Sequence, residues 1–270
     1  MTSSFAHKVR LGLIWSLIQN WGLRLGGLVV FMVLARILSP HEMGLFAAAT
    51  TVIAFCALFV DSGLSEAVVQ ARDITPRQLS SVFIINLVLA CVLVIGLWFG
   101  ADWISAYFKL PALSWILRIS SLSILLNAFT FSQMAMFRRA FEYKRLAAVT
   151  LGATVVSGAV SIGMALQGMG VWALVVQTLL SAAYTAWMLW WRPQWKLAWG
   201  FEAHAVKGLL SYGVQRLLTS LMDFVNTRFI ELFFAAVYGA ATLGLYVVGA
   251  RIYQSLMQVL CSAILDIAHN

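Results

Sequence analysis

Charge is what this sequence has least of. Asp, Glu, Lys and Arg make up 10% of its 270 residues, whereas about a quarter of a soluble domain is charged. Hydrophobic residues reach 62% and mean hydropathy is +0.90. That much apolar surface cannot be hidden in one compact water-facing core, so the solvent is lipid. Cysteine is scarce as well, with three in the chain. Cys56, Cys91 and Cys261 each fall inside an apolar run without metal-type spacing, and read as small buried hydrophobes. The four histidines are scattered through termini and gaps. The sequence has no HExxH, Gly-rich phosphate loop, nucleophile elbow or Cys/His cluster. These absences argue against an enzyme, and no cofactor or metal is expected. Long polar stretches are missing too: the widest gap between apolar runs, about Arg192 to Gly208, is under twenty residues. No soluble catalytic domain fits there, so function must reside in helices and their ends.

What is present is a series of apolar runs, each long enough to cross a bilayer at about 20 residues per span. Eight are expected: Leu11–Ala35, Met43–Leu64, Ser81–Gly100, Leu113–Met136, Leu146–Gln167, Val171–Trp191, Leu209–Val237 and Ala240–Leu265. The fold class is therefore all-α and polytopic. The first run is too long for a signal-peptide h-region and ends in Ser-Pro rather than a cleavage site, so it reads as an uncleaved span. Ser39-Pro40-His41-Glu42 and Thr75-Pro76-Arg77-Gln78 each combine a capping hydroxyl, a proline and a side chain able to reach back, and so predict helix starts.

The formal charge of +8 would suggest nucleic acid in a soluble protein. Here the basic residues sit in gaps, and their distribution gives an orientation instead. Gaps on the N-terminal side hold eleven: Lys8, Arg10, Arg72, Arg77, Arg138, Arg139, Lys144, Arg145, Arg192, Lys196 and Lys207. The opposite gaps hold two, Arg36 and Lys109. The positive-inside rule then places the N-terminus in the cytoplasm. Nucleic-acid binding is not expected. Trp98, Trp103, Trp187, Trp190, Trp191, Trp195 and Trp199 cluster near span ends and read as interfacial anchors. Gly22-x-x-x-Gly26 and Gly96-x-x-x-Gly100 read as close-approach helix contacts.

Charges inside the spans are the candidate site. An arginine at the bilayer centre costs about 2.5–3.5 kcal/mol on insertion scales and so faces a cavity or a partner. Arg24 lies roughly 20 Å into a 30 Å core, and Arg251 about as deep from the other end. Neither easily reaches an interface, and a cavity role is preferred for both. The guanidinium fork matches phosphate oxygens and stays charged, so the ligand expected there is a phosphate or diphosphate. Asp223 and Arg216 in the seventh span are candidates for coupling or for tuning those arginines. Arg228 and Glu231, three apart, read as a pair on one helix face. Arg118 and Arg216 are close enough to an interface to snorkel.

A faint internal echo accompanies this. Met43-Gly44-Leu45-Phe46 opens the second span and Leu243-Gly244-Leu245-Tyr246 the eighth; Arg10-Leu11-Gly12-Leu13 and Lys207-Gly208-Leu209-Leu210 lead into the spans before them. The echo divides the chain into a six-helix unit, residues 1–204, and the first two helices of a second unit, residues 205–270. Parallel repeats of this kind are common in transporters.

Four segments carry a family resemblance. They are Leu34-Ala35-Arg36-Ile37-Leu38-Ser39-Pro40 with Met43-Gly44, Phe59-Val60-Asp61-Ser62-Gly63-Leu64 with Ala67 and Gln70, Arg138 to Arg145, and Gly168 to Val175. In this order they resemble the oligosaccharide flippases of the MOP transporter superfamily, in the lipopolysaccharide and colanic-acid exporter branch. The resemblance implies two six-helix lobes around a cavity lined by helices 1, 2, 7 and 8. It implies an undecaprenyl-diphosphate-linked oligosaccharide carried across the bacterial inner membrane by alternating access, with polysaccharide biosynthesis machinery and membrane lipids as partners. Lipid II flippases of that superfamily use cavity arginines on early helices and on the eighth, and Arg24 and Arg251 lie on comparable helices. The chain departs from the pattern by ending after helix 8, which reads as a partial product. Other readings are a drug or cation exporter of the same superfamily, which would show acidic residues at mid-membrane, and a non-transporting remnant.

Overall fold

The computed structural model describes the backbone of residues 2–61, 75–198 and 203–268, and side chains at 15, 19, 21–60, 75–198, 217–254 and 257. These residues form eight helices and no strand: α1 Thr2–Ile37, α2 Pro40–Asp61, α3 Pro76–Phe108, α4 Leu113–Arg139, α5 Tyr143–Leu166, α6 Val171–Trp191, α7 Ala203–Val237 and α8 Gly239–Ala268. Each of the eight expected spans falls on a helix among the described residues; residues 62–64 of the second lie outside them, and Gln167 of the fifth caps its helix. By length and composition, five of them (α2 to α6) contain described segments able to cross a membrane. The protein is an all-α, polytopic membrane protein.

Both proposed helix starts are capping boxes. The Ser39 backbone N–H and hydroxyl donate to Glu42 Oε2 at 2.8 Å each, and Glu42 N–H returns to Ser39 Oγ at 3.3 Å. Thr75 accepts from Gln78 N–H and donates its own N–H to Gln78 Oε1, both at 3.2 Å. The turn between α5 and α6 needs its glycines: Gly168 and Gly170 have φ of +79° and +56°, and a Cβ on Gly170 would strike the Glu42 carboxylate. Two of the family-resembling segments thus meet at one end of the bundle.

The most extensive helix–helix contacts are α1–α5, α2–α8, α3–α4 and α5–α6. Gly22 faces Leu151 of α5, and Gly158 of α5 faces Val30, so small residues set the α1–α5 approach. Gly96 and Gly100 depart from expectation: a Cβ on either meets nothing within 4 Å. They lie on α3, whose face bearing Val88, Val92, Ile95 and Phe99 points outward, at 56–79% exposure.

Trp195 also departs from expectation. It is buried rather than an interfacial anchor, because the segment after α6 folds back over the ends of α3 and α4. Gln133 Nε2 donates to Trp195 O at 2.9 Å, and Ala198 N–H donates to Ser80 Oγ at 2.9 Å. Trp190 is drawn inward too, its indole N–H donating to Phe129 O at 2.9 Å. Trp103, Trp187 and Trp191 do lie outside, 58–87% exposed; Trp199 lies outside the described residues.

Candidate functional site

A cavity of about 810 Å³ opens among seven helices. Helices α1 and α2 supply Leu23, Gly27, Phe31, Met43, Phe46, Ala47 and Thr50; α7 supplies Arg228 and Glu231; α8 supplies Val247, Ala250, Arg251 and Gln254. The remaining wall comes from α4, α5 and α6. Clefts of about 300–1,000 Å³ hold drug-sized ligands, so the space admits a sizeable polar head.

Arg251 lines this cavity, with its guanidinium carbon 4.5 Å from the centre of the Phe31 ring. The ring face attracts the cation and holds the fork across the space between α1 and α8. Arg228 and Glu231 pair as their spacing suggested: Nη1 donates to both carboxylate oxygens, at 2.7 and 2.8 Å. The pair faces the cavity, and Glu231 Oε2 also accepts from the buried Thr51 hydroxyl of α2 at 2.7 Å. The lining therefore holds two arginines and one carboxylate, an excess of one positive charge.

Arg24 is exposed and is not among the lining residues. Seven residues before Phe31, it falls about 20° away around α1 and about 10.5 Å along it. It thus continues the stripe on which Arg251 rests. Asp223 is exposed, away from the lining, and its carboxylate makes no hydrogen bond to a described residue. The Arg216 side chain lies outside the described residues. Arg118, on α4, does not snorkel alone: Nη2 contacts Asp102 at 2.7 Å, Nε donates to Trp98 O at 3.1 Å, and the guanidinium covers the Trp115 ring.

Reasoning from charge missed the neutral polar wall. Helix α4 brings Ser123, Asn127 and Thr130; α5 brings Thr154 and Ser157; α6 brings Gln177, Thr178, Ser181 and Thr185. Their spacing carried the signal. Residues 123, 127 and 130 run i, i+4, i+7, and 178, 181 and 185 run i, i+3, i+7, one face of each helix.

Contacts between the two ends of the chain recur at an offset of 200 residues. Thr51 meets Glu231, and Arg251 meets Phe31. A Cβ on Gly44 would collide with the backbone of Ala240, and one on Gly244 with the backbone of Pro40. Such reciprocity is what a two-fold relation between matched segments produces. The register agrees with the Gly44–Gly244 echo. It disagrees with the Arg10–Lys207 echo, whose offset is 197, so that second likeness is out of step.

An apolar exterior wrapped around a polar, charge-bearing cavity is the construction of membrane transport proteins. The chain belongs to the polysaccharide biosynthesis protein family, whose profile matches residues 33–269. It is 25% identical over 253 residues to the succinoglycan biosynthesis transport protein ExoT of Rhizobium meliloti, covering 94% of this chain and 51% of that one. It is 23% identical to the teichuronic acid biosynthesis protein TuaB of Bacillus subtilis, covering 90% and 51%. To the lipopolysaccharide biosynthesis protein WzxC of Escherichia coli it is also 23% identical, covering 90% and 50%. The chain spans about half the length of these curated relatives. No solved structure matches it.

Proposed function

We propose that this chain carries the substrate cavity of a flippase. Its cargo is an undecaprenyl-diphosphate-linked oligosaccharide, moved across the bacterial inner membrane by alternating access during exopolysaccharide or lipopolysaccharide biosynthesis. The carrying observation is Arg251, held against Phe31 inside a cavity among the helices with a net positive lining. A guanidinium binds phosphate oxygens by short, charge-assisted hydrogen bonds. Membership of the polysaccharide biosynthesis family and the relatives' names support a polysaccharide cargo.

In this reading Arg24 and Arg251 hold the two phosphates, one above the other along α1. Asp223 and Arg216 contribute to coupling. Residues 1–204 form a six-helix lobe and residues 205–270 open a second, parallel-repeat lobe; the reciprocal contacts at offset 200 support that division. The loop charge count supports a cytoplasmic N-terminus. The polysaccharide biosynthesis machinery supplies the cargo on one side and receives it on the other. The cation-exporter reading has one acid in the lining, Glu231, already matched by Arg228, and is disfavoured on that ground.

The test is translocation of a fluorescent polyprenyl-diphosphate disaccharide in proteoliposomes, read by quenching of the probe left in the outer leaflet. The loss of one charged hydrogen-bonding group is worth about 1.5–3 kcal/mol, so Arg251→Ala and Arg24→Ala should each slow translocation roughly tenfold to a hundredfold. Rates equal to wild type at equal protein level would remove both arginines from the site. Transport of cationic dyes instead would favour the exporter.

A further inference from the structure

We infer that the neutral wall of α4, α5 and α6 is the seat of the sugar head, and that this wall selects an uncharged glycan. The inference rests on the flippase reading and adds the substrate class. Charge in the cavity is one-sided. Its three charged lining residues, Arg228, Glu231 and Arg251, all belong to α7 and α8, while the facing wall carries no charge: its polar groups are neutral, with Phe131, Met134, Leu174 and Ala182 among them.

The hydrogen-bonding state of that wall fits a polyol. Thr130 donates to Asn127 O at 2.8 Å, Thr154 to Thr150 O at 3.0 Å and Thr178 to Val175 O at 2.8 Å. Each hydroxyl proton is committed to its own helix, which leaves lone pairs as acceptors towards the cavity. The amides of Asn127 and Gln177 have no hydrogen-bond partner among the described residues, so they offer donors as well as acceptors. A ring of sugar hydroxyls, each both donor and acceptor, satisfies this mixed set. A carboxylate does not: it accepts only, and the wall holds no cation to offset its desolvation. The anionic linker and the neutral head therefore lie on opposite sides of one cavity.

The experiment uses the purified chain in lipid nanodiscs and three probes sharing one short polyprenyl diphosphate: no sugar, a neutral N-acetylated disaccharide, and a glucuronate-terminated disaccharide. The neutral probe should bind about tenfold more tightly than the sugarless one and about tenfold more tightly than the glucuronate probe. Asn127→Leu combined with Gln177→Leu should erase the gain from the neutral sugar and leave sugarless binding within about twofold, which also reports intact folding. Equal binding of sugarless and neutral probes would overturn the assignment, as would glucuronate binding as tight as neutral, or a double variant without effect. Failure of all three probes to bind wild type would sink the flippase reading itself, and this inference with it.

Discussion

Glu231 sits where a carboxylate is hard to keep, among helices of a membrane protein with its side chain only 12% exposed. It is tolerated because Arg228 grips both oxygens and Thr51 reaches across from α2. Glu231→Ala leaves Arg228 without its acceptor and takes from Thr51 one of two, since that hydroxyl also lies 2.8 Å from Ala47 O, and should lower stability by about 1–3 kcal/mol. Glu231→Gln keeps an acceptor for Thr51 and should lose less. Thermal melting in detergent checks both, and an unchanged midpoint for the alanine variant would show that the cluster contributes nothing. At this scale the sequence was half legible. The Arg228–Glu231 spacing announced a pair, but Thr51 is 180 positions away and nothing local points to it. Depth in the membrane could be counted for Arg24 and Arg251. The angle each presents depends on neighbouring helices, and so only Arg251 reaches the lining. The neutral wall was written in helical spacing too, but each hydroxyl costs little alone, and attention goes to formal charge first.

Among the elements, the α2–α8 contact is the tightest backbone approach at any described glycine. In lipid, helices gain little from apolar burial against one another, so close packing through small residues decides which pairs form. Gly44→Val and Gly244→Val should each push α2 and α8 apart and cost about 1–3 kcal/mol, as overpacking does. Gly96→Val, which meets open space, should leave the melting midpoint within error. Equal effects at 44 and 96 would contradict the packing described. The helix starts were legible because a capping box is a four-residue device. The α2–α8 pairing was visible only as a Gly-Leu echo, since tertiary approach leaves no local pattern beyond the absence of a side chain. Trp195 shows the converse failure: a tryptophan near a span end reads as an anchor until the segment carrying it folds inward.

For the molecule as a whole, the sorting of polar from apolar runs opposite to a soluble protein: bulky apolar side chains face out and hydroxyls face in. Val92, 58% exposed on α3, should not tolerate charge. Val92→Lys places an ammonium against lipid at about 2.5–3.5 kcal/mol on insertion scales, and the membrane-integrated yield should fall. Thr178→Lys, which opens into the cavity, should integrate at near-normal yield. Matching yields would mean that the two surfaces had been exchanged. This arrangement also gives the glycine contact a mechanical meaning. Gly44 and Gly244 join α2 and α8 close to one end, and Gln254 lies about 15 Å further along α8. With the near end pinned, the far end is a lever: a swing of about ten degrees about that fulcrum carries residue 254 through roughly 3 Å. On the flippase reading, two missing β-carbons would thereby set where the cavity widens and where it does not.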